Sequence, residues 1–236
     1  MANNPSPHGA FITGTDTGVG KTLVTVAIGH ALKQRGLSIA ALKPIASGGI
    51  MTPHGLRNDD AVLLQQQLCP QLDYAQINPY CLALPVSPHL AARAAGITID
   101  LQQLQQHCHQ IIASHDFTLI EGVGGWRVPL TEAGDSIADL ACMLNLPVIL
   151  VVGLRLGCLN HALLTADAIE RSGLPFAGWV ANILTVDMGM LDANIATLQQ
   201  MLPAPLLGTV PHLSQGRIDD DAALATYLDI TALSDR

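Results

Sequence analysis

The sequence predicts an α/β fold, a mostly parallel sheet with helices on both faces, and three observations carry that expectation. Short β-like apolar runs alternate with longer helical stretches along the chain, the pattern of strands joined by crossover helices. Hydrophobic residues make up 49% of the 236 residues and charged residues only 13%, which suits a heavily buried sheet and opposes disorder. The first predicted strand runs straight into a glycine-rich stretch that opens a helix. The length lies within the range of one large α/β unit, and neither a Ser/Gly linker nor a fixed-period repeat divides it, so a single domain over 1–236 is expected.

Taken in order, Ala10-Phe11-Ile12-Thr13 reads as the first strand and about Lys21 to Arg35 as the first helix, ended by Gly36. Ile39–Lys43 is the second strand. After a Gly/Pro-rich loop, Asn58 stands where its side chain can cap a helix beginning before Ala61-Val62-Leu63-Leu64. Ser87-Pro88 before His89–Ala95 marks another helix with proline in its first turn. Helical signals dominate 58–115 and close with a helix over about Leu101–Ser114, whose glutamine-rich face reads as solvated surface. Phe117–Ile120, Val148–Val152, Phe176–Ile183 and Leu206–Val210 are the third to sixth strands, each separated by enough chain for a crossover helix. Ligands of such open sheets bind beyond the carboxyl ends of the strands, which draws attention to the polar residues after strands one, two, three and five.

Composition narrows the function classes. The longest apolar stretch, Leu146 to Leu154, is broken by Pro147 and Gly153 and falls far short of the roughly 20 residues that cross a bilayer. The first ten residues contain no Lys or Arg and lead into no long apolar run, so no secretory or transit signal is read and a cytoplasmic location is expected. The five cysteines, Cys69, Cys81, Cys108, Cys142 and Cys158, follow no paired spacing, and no disulfide is expected. His107, Cys108 and His109 are adjacent, point in different directions on a helix, and do not converge on one metal ion. A net charge of −8 without a cluster of Lys or Arg longer than two argues against nucleic-acid and membrane partners and for a small ligand.

The strongest motif is Gly14-Thr15-Asp16-Thr17-Gly18-Val19-Gly20-Lys21-Thr22, placed between a strand and a helix as a phosphate-binding loop requires. Its glycines let backbone N–H groups face phosphate oxygens. The helix N-terminus adds positive potential, Lys21 reaches the β/γ-phosphates, and the Thr22 hydroxyl is placed to coordinate Mg²⁺. The loop is a variant, because Thr15 stands at the usual first glycine and Gly14 lies one residue earlier. The expected fold is therefore P-loop NTPase-like, with ATP as the ligand.

Five further positions stay open on spacing alone. Glu121 ends an apolar strand before Gly122-Val123-Gly124-Gly125 and suits either a Mg²⁺ site or a turn cap. Lys43, opening Lys43-Pro44-Ile45-Ala46-Ser47, suits either charge neutralisation on a transferring phosphoryl group or a solvated loop. Asp59 and Asp60 suit a metal site or the favourable first turn of a helix. Asn182 suits an adenine edge or the tying down of a turn.

The stretches GTDTGVGKT (14–22), LKPIASG (42–48), TPHGLRNDDA (52–61), INPYCLALPVSPH (77–89), IEGVGGW (120–126), LPVILVVGLRLGCLNHALLTA (146–166), GWVAN (178–182) and PAPLLGTVP (203–211), in this order and spacing, resemble the ATP-dependent dethiobiotin synthetase family of biotin biosynthesis nearly end to end. The resemblance implies a homodimeric enzyme that converts 7,8-diaminopelargonic acid, CO₂ and MgATP to dethiobiotin, ADP and phosphate through a carbamate and a carbamic–phosphoric anhydride. It implies that Thr17, Gly18, Val19, Gly20, Lys21 and Thr22 cradle the phosphates, with Gly122, Val123 and Gly124 beside the nucleotide. Thr22, Asp60 and Glu121 would surround Mg²⁺, and Lys21 and Lys43 would be catalytic, steadying the carbamate and γ-phosphate. Ser47 would contact the substrate. Asn182 and Ile183, with Pro211, His212 and Leu213, would hold the adenine. Gly157, Cys158, Leu159 and Asn160, at a helix start, would bind the substrate carboxylate across the dimer interface, where a helix N-terminus favours an anion.

Two positions depart from that family's pattern: Gly18 stands where an acidic residue is frequent, and Arg155 replaces the usual Lys before Leu-Gly-Cys. Neither removes a phosphate or metal ligand, although Arg155 changes the hydrogen-bond geometry of its charge. Two rivals fit less well. A partitioning-type ATPase switch carries a signature lysine early in the loop, where this chain has Thr15, and uses basic surfaces absent from this sequence. A cobalamin-type amidoligase carries a glutaminase domain for which there is no room.

Overall fold

The computed structural model describes residues 9–185, 188–213 and 221–234. In chain order its elements are β1 (Gly9–Gly14), α1 (Lys21–Gln34), β2 (Ile39–Leu42), β3 (Ile45–Ser47), β4 (Ile50–Thr52), β5 (Gly55–Arg57), α2 (Asp59–Leu68), α3 (Tyr74–Ile77) and β6 (Tyr80–Leu82). There follow α4 (Pro88–Ala95), α5 (Leu101–Ile112), β7 (Phe117–Glu121), α6 (Ile137–Leu144), β8 (Val148–Leu154), α7 (Cys158–Arg171), β9 (Phe176–Ile183), α8 (Leu191–Met201), β10 (Leu206–Val210), a 3₁₀ segment (Asp221–Tyr227) and α9 (Thr231–Ser234).

Six strands form one sheet in the order β10-β9-β8-β1-β7-β2, and every pairing within it is parallel. The central strands are buried along their whole length because both faces are covered. α1 and α2 pack together with the 3₁₀ segment against α1, while α5 packs on α6 and α7 on α8. Right-handed crossovers put these two groups on opposite faces, since the chain steps from β1 one way to β2 and then returns across β7 to β8, β9 and β10. The apolar core is continuous from Ala10 to Leu233. The reversal of strand order at β1 creates the crevice where a ligand is expected in such sheets.

All six predicted strands and the helix starts are found. Asn58 caps α2 by accepting from the Ala61 N–H at 3.4 Å, Pro88 opens α4, and Asp100 caps α5 through the Gln103 N–H at 3.0 Å. The region 45–82 departs from the expectation. The loop after β2 contains a hairpin, β4 against β5, closed by Gly55 at φ 94°. The segment expected to be mainly helical contributes β6, parallel to β3. Each of these strands is three residues long, too short for alternation to register, and β3 meets β6 only through the tertiary fold.

Candidate active site

β1 delivers the chain into the glycine loop at a fixed height, because the Thr15 N–H donates to Val151 O on the neighbouring strand at 3.1 Å. The loop's middle is pinned by Val19, only 1% exposed. A Cβ at Gly14 would stand 2.6 Å from the Val19 side chain, and one at Gly153 on β8 would stand 2.9 Å from it, so two bare backbones form the seat for that valine. α1 then starts at Lys21 behind Gly20, whose φ of 90° favours glycine.

Lys21 is 6% exposed, and its ammonium donates to Asp16 O at 3.0 Å and Gly124 O at 2.7 Å. Burial, together with the nearby Lys43 charge, lowers its pKa to about 8. Lys43 follows β2, and its backbone is clamped on both sides: its N–H donates to Ile77 O at 2.9 Å, and Asn78 Nδ2 donates to its carbonyl at 2.6 Å. Its ammonium reaches Glu121 Oε1 at 2.5 Å and Asp60 Oδ2 at 3.0 Å. Burial alone would lower the Lys43 pKa, but the two carboxylates reverse the sign and raise it. Asp60 moves oppositely: burial pushes its carboxyl up, and Lys43 more than offsets this to hold it below the usual range.

Glu121, the last residue of β7, is 1% exposed. Besides Lys43 it accepts from the Thr22 hydroxyl at 2.9 Å through the same Oε1. Two buried lysines, the buried Glu121 and the half-exposed Asp60 therefore balance in charge. The Lys43–Glu121 pair, with side chains 4% and 0% exposed, is costly to desolvate and becomes strongly unfavourable if one partner is lost, by about 3–5 kcal/mol. The glycine loop behind Glu121 is anchored by Trp126, whose ring meets Phe11 of β1 edge-on with centroids 6.2 Å apart.

These residues line one cleft of about 750 Å³. It includes Thr17, Gly18, Gly20, Lys21 and Thr22, the charged residues Asp60, Lys43 and Glu121, and Asn182, Ile183, Pro211, His212 and Leu213. Ser47, Val123 and Gly124 also line it, and the Ser47 hydroxyl is buried without a hydrogen-bond partner among the described residues. Val19 and Gly122 lie beneath the lining. Gly157, Cys158, Leu159 and Asn160 are not brought into the cleft: they begin α7, where Gly157 and Asn160 are exposed and Cys158 is buried.

Sequence reasoning gave no role in the cleft to Asp16, Pro85 or Val86, and read Asn58 and Ser87-Pro88 only as helix starts. Asp16 accepts from the Thr17 N–H at 2.7 Å, which lowers its pKa, and forms an ion pair with Arg155. Asn58 donates to Ser47 O at 3.3 Å, and Pro85, Val86, Ser87 and Pro88 form a wall of the cleft. Asp16 stands inside the recognised motif, but its partner is 139 residues away, and no local signal announces such a pairing.

The donor set fits a hard cation that is completed by phosphate oxygens. Glu121 Oε2 is buried and has no hydrogen-bond partner among the described residues, while Thr22 and Asp60 supply further oxygens nearby.

Fold and site together define a P-loop, nucleotide-binding α/β protein with a cluster of charged side chains in its cleft. A family model described as an AAA domain matches residues 8–217. The chain is 50% identical over 225 residues to ATP-dependent dethiobiotin synthetase BioD of Cellvibrio japonicus, covering 95% of this chain and 97% of that protein. It is 49% identical over 224 residues to the BioD of Pseudomonas aeruginosa PAO1, covering 94% and 96%. The chain belongs to the ATP-dependent dethiobiotin synthetase family. Among solved structures, the MinC:MinD cell division protein complex of Aquifex aeolicus aligns with a TM-score of 0.56 at 16% identity, over 94% of this chain and 87% of that one. MinD of Pyrococcus horikoshii, complexed with Mg-ADP, aligns with a TM-score of 0.53 at 18% identity, over 95% and 93%. These two share the fold.

Proposed function

We propose that this chain is an ATP-dependent cyclo-ligase that joins 7,8-diaminopelargonic acid and CO₂ into dethiobiotin, releasing ADP and phosphate. The observation that carries the reading is the charged cluster of Lys21, Lys43, Asp60 and Glu121 beside a phosphate loop, in a chain half identical along its length to dethiobiotin synthetases.

One amine of the diamine captures CO₂ and loses a proton, giving a carbamate. The carbamate oxygen attacks the γ-phosphorus, and the bond to ADP breaks. The second amine then attacks the carbonyl of the mixed anhydride, phosphate leaves with the C–O bonding pair, and a proton is released as the cyclic urea closes. Nothing is oxidised or reduced. The protein's task is to align these partners and hold their negative charge.

Lys21 lies where the γ-phosphate would sit and carries its charge into that contact. Lys43 faces the same space from the opposite strand, so its ammonium would bridge carbamate and phosphoryl oxygens. Ser47, with its unpartnered hydroxyl, is assigned to the substrate. Bound Mg²⁺, held by Thr22, Asp60 and Glu121, would neutralise the β- and γ-phosphate oxygens. Asn182, Ile183, Pro211, His212 and Leu213 would enclose the adenine. Gly157 to Asn160 would take the substrate carboxylate of a partner copy, which makes the working enzyme a homodimer. No helix among the described residues is long and apolar enough to cross a membrane, in keeping with a cytoplasmic enzyme acting on small molecules.

Phosphate release measured with ATP, diaminopelargonic acid and bicarbonate, omitting each in turn, tests the reading. Release is expected only with all three present. ATP turnover indifferent to the diamine would overturn it.

A further inference from the structure

Asn182 sits on β9 in the lining of the cleft, 5% exposed. Its side-chain amide does not point solely at the space where a base would lie: Nδ2 donates to Val19 O at 2.8 Å, a buried bond between the fifth strand of the sheet in chain order and the middle of the phosphate loop. Only the amino end of the amide can donate to a carbonyl, so this bond fixes which way the amide faces.

We propose that Asn182 is a positioning residue for the phosphate loop, holding the Val19 peptide so that the Gly20 N–H is aimed at the phosphates. The inference rests on the reading of this cleft as a nucleotide site and assigns to Asn182 a duty beyond the adenine.

A peptide group is planar and trans, so the Val19 carbonyl and the Gly20 N–H point in opposite directions. Anchoring the carbonyl on β9 turns the N–H away from β9. Gly20 lines the cleft and Val19 does not, so that direction leads into the cradle. The local packing is built around this bond. Register sets Asn182 beside Gly153 of β8, and the bare backbone at Gly153 lets the Val19 side chain settle low enough for its carbonyl to meet the amide. On the other side, a Cβ at Gly20 would stand 2.1 Å from Asn182 Nδ2. Glycine at position 20 is thus required twice, by its φ of 90° and by the closeness of the amide. A residue serving the base alone needs none of this.

The discriminating probe is tripolyphosphate, which carries the phosphates and no base, titrated calorimetrically alongside ATP. Asn182→Ala is expected to weaken tripolyphosphate about three- to tenfold, the effect of one buried hydrogen bond, and ATP by at least as much. Asn182→Ser, too short to reach Val19, gives the same loss and serves if the alanine variant does not fold. Ile183→Ala, a neighbouring cleft residue without a bond to the loop, is expected to weaken ATP and leave tripolyphosphate within about twofold. Unchanged tripolyphosphate binding in the Asn182 variants, or an equal loss in Ile183→Ala, would overturn the inference. Wild-type protein that failed to bind tripolyphosphate would overturn it together with the phosphate-loop reading, whereas a missing diamine requirement in the turnover assay would touch only the proposed reaction.

Discussion

The starts of α1 and α7 are the same local structure used in two ways. Each follows a strand end of the central sheet, each has a glycine in the left-handed region as N-cap, Gly20 at φ 90° and Gly157 at φ 94°, and each opens a 14-residue helix. Around the first, Lys21, Thr22, Lys43 and Glu121 converge in a buried, interlocked cluster. Around the second, Leu156 is 99% exposed and Asn160 is exposed. Exposed N–H groups at a helix start favour any anion. What sets the first apart is the group of charges brought to it by β2, α2 and β7, and the second has no such group among the described residues.

The comparison is broken most severely at Lys21. Lys21→Ala should lower kcat by about 10³-fold, because the cation acts where charge develops in the transition state. The melting temperature should hold within a few degrees, since the Lys21 ammonium bonds two backbone carbonyls rather than a carboxylate; wild-type turnover in a folded variant would remove the phosphate loop from the mechanism. Glu121→Gln comes next. Keeping the shape but removing one charge from the cation's oxygen donors should raise the Mg²⁺ concentration for half-maximal rate about tenfold. A lower melting point with unchanged Mg²⁺ dependence would instead assign Glu121 to structure as the partner of Lys43.

At the second helix start the expected effects are smaller and of another kind. Asn160→Ala should raise the KM for the diamine about three- to tenfold and leave the KM for ATP unchanged, the loss of one hydrogen bond to substrate. An equal rise in both would merge the two regions functionally. The smallest effect is expected at the ion pair joining them, Arg155 with Asp16, whose side chains are 44% and 46% exposed. A pair this open is worth roughly 0–1 kcal/mol, so Arg155→Met should shift the melting temperature by no more than about 4 °C. A larger shift would mean that the two loops stand or fall together.

Much of this site was legible beforehand. The glycine loop with Lys21 and Thr22 announces itself because a phosphate cradle needs backbone, cation and hydroxyl within a few consecutive residues. Glu121 and Lys43 were visible as charged residues at strand ends, yet each had a structural alternative of comparable standing. Spacing did not separate the alternatives, because the deciding fact is the contact between them, across 78 residues of chain. The β3–β6 pairing escaped for the same reason: three-residue strands carry no usable period, and their partner is remote.

The sequence by itself determined the parallel α/β architecture, the six core strands, the starts of α2 and α4 at Asn58 and Ser87-Pro88, and the location of the phosphate loop. Each of these depends on residues close together in the chain, through periodicity, capping or turn chemistry. The tertiary structure alone decided that Lys43 lies buried between Asp60 and Glu121, that Asn182 grips the Val19 carbonyl, and that Gly157 to Asn160 stay outside the cleft. Those facts depend on strand order and register in a sheet whose neighbours are far apart in sequence. Only packing selects among the side-chain pairings that composition permits.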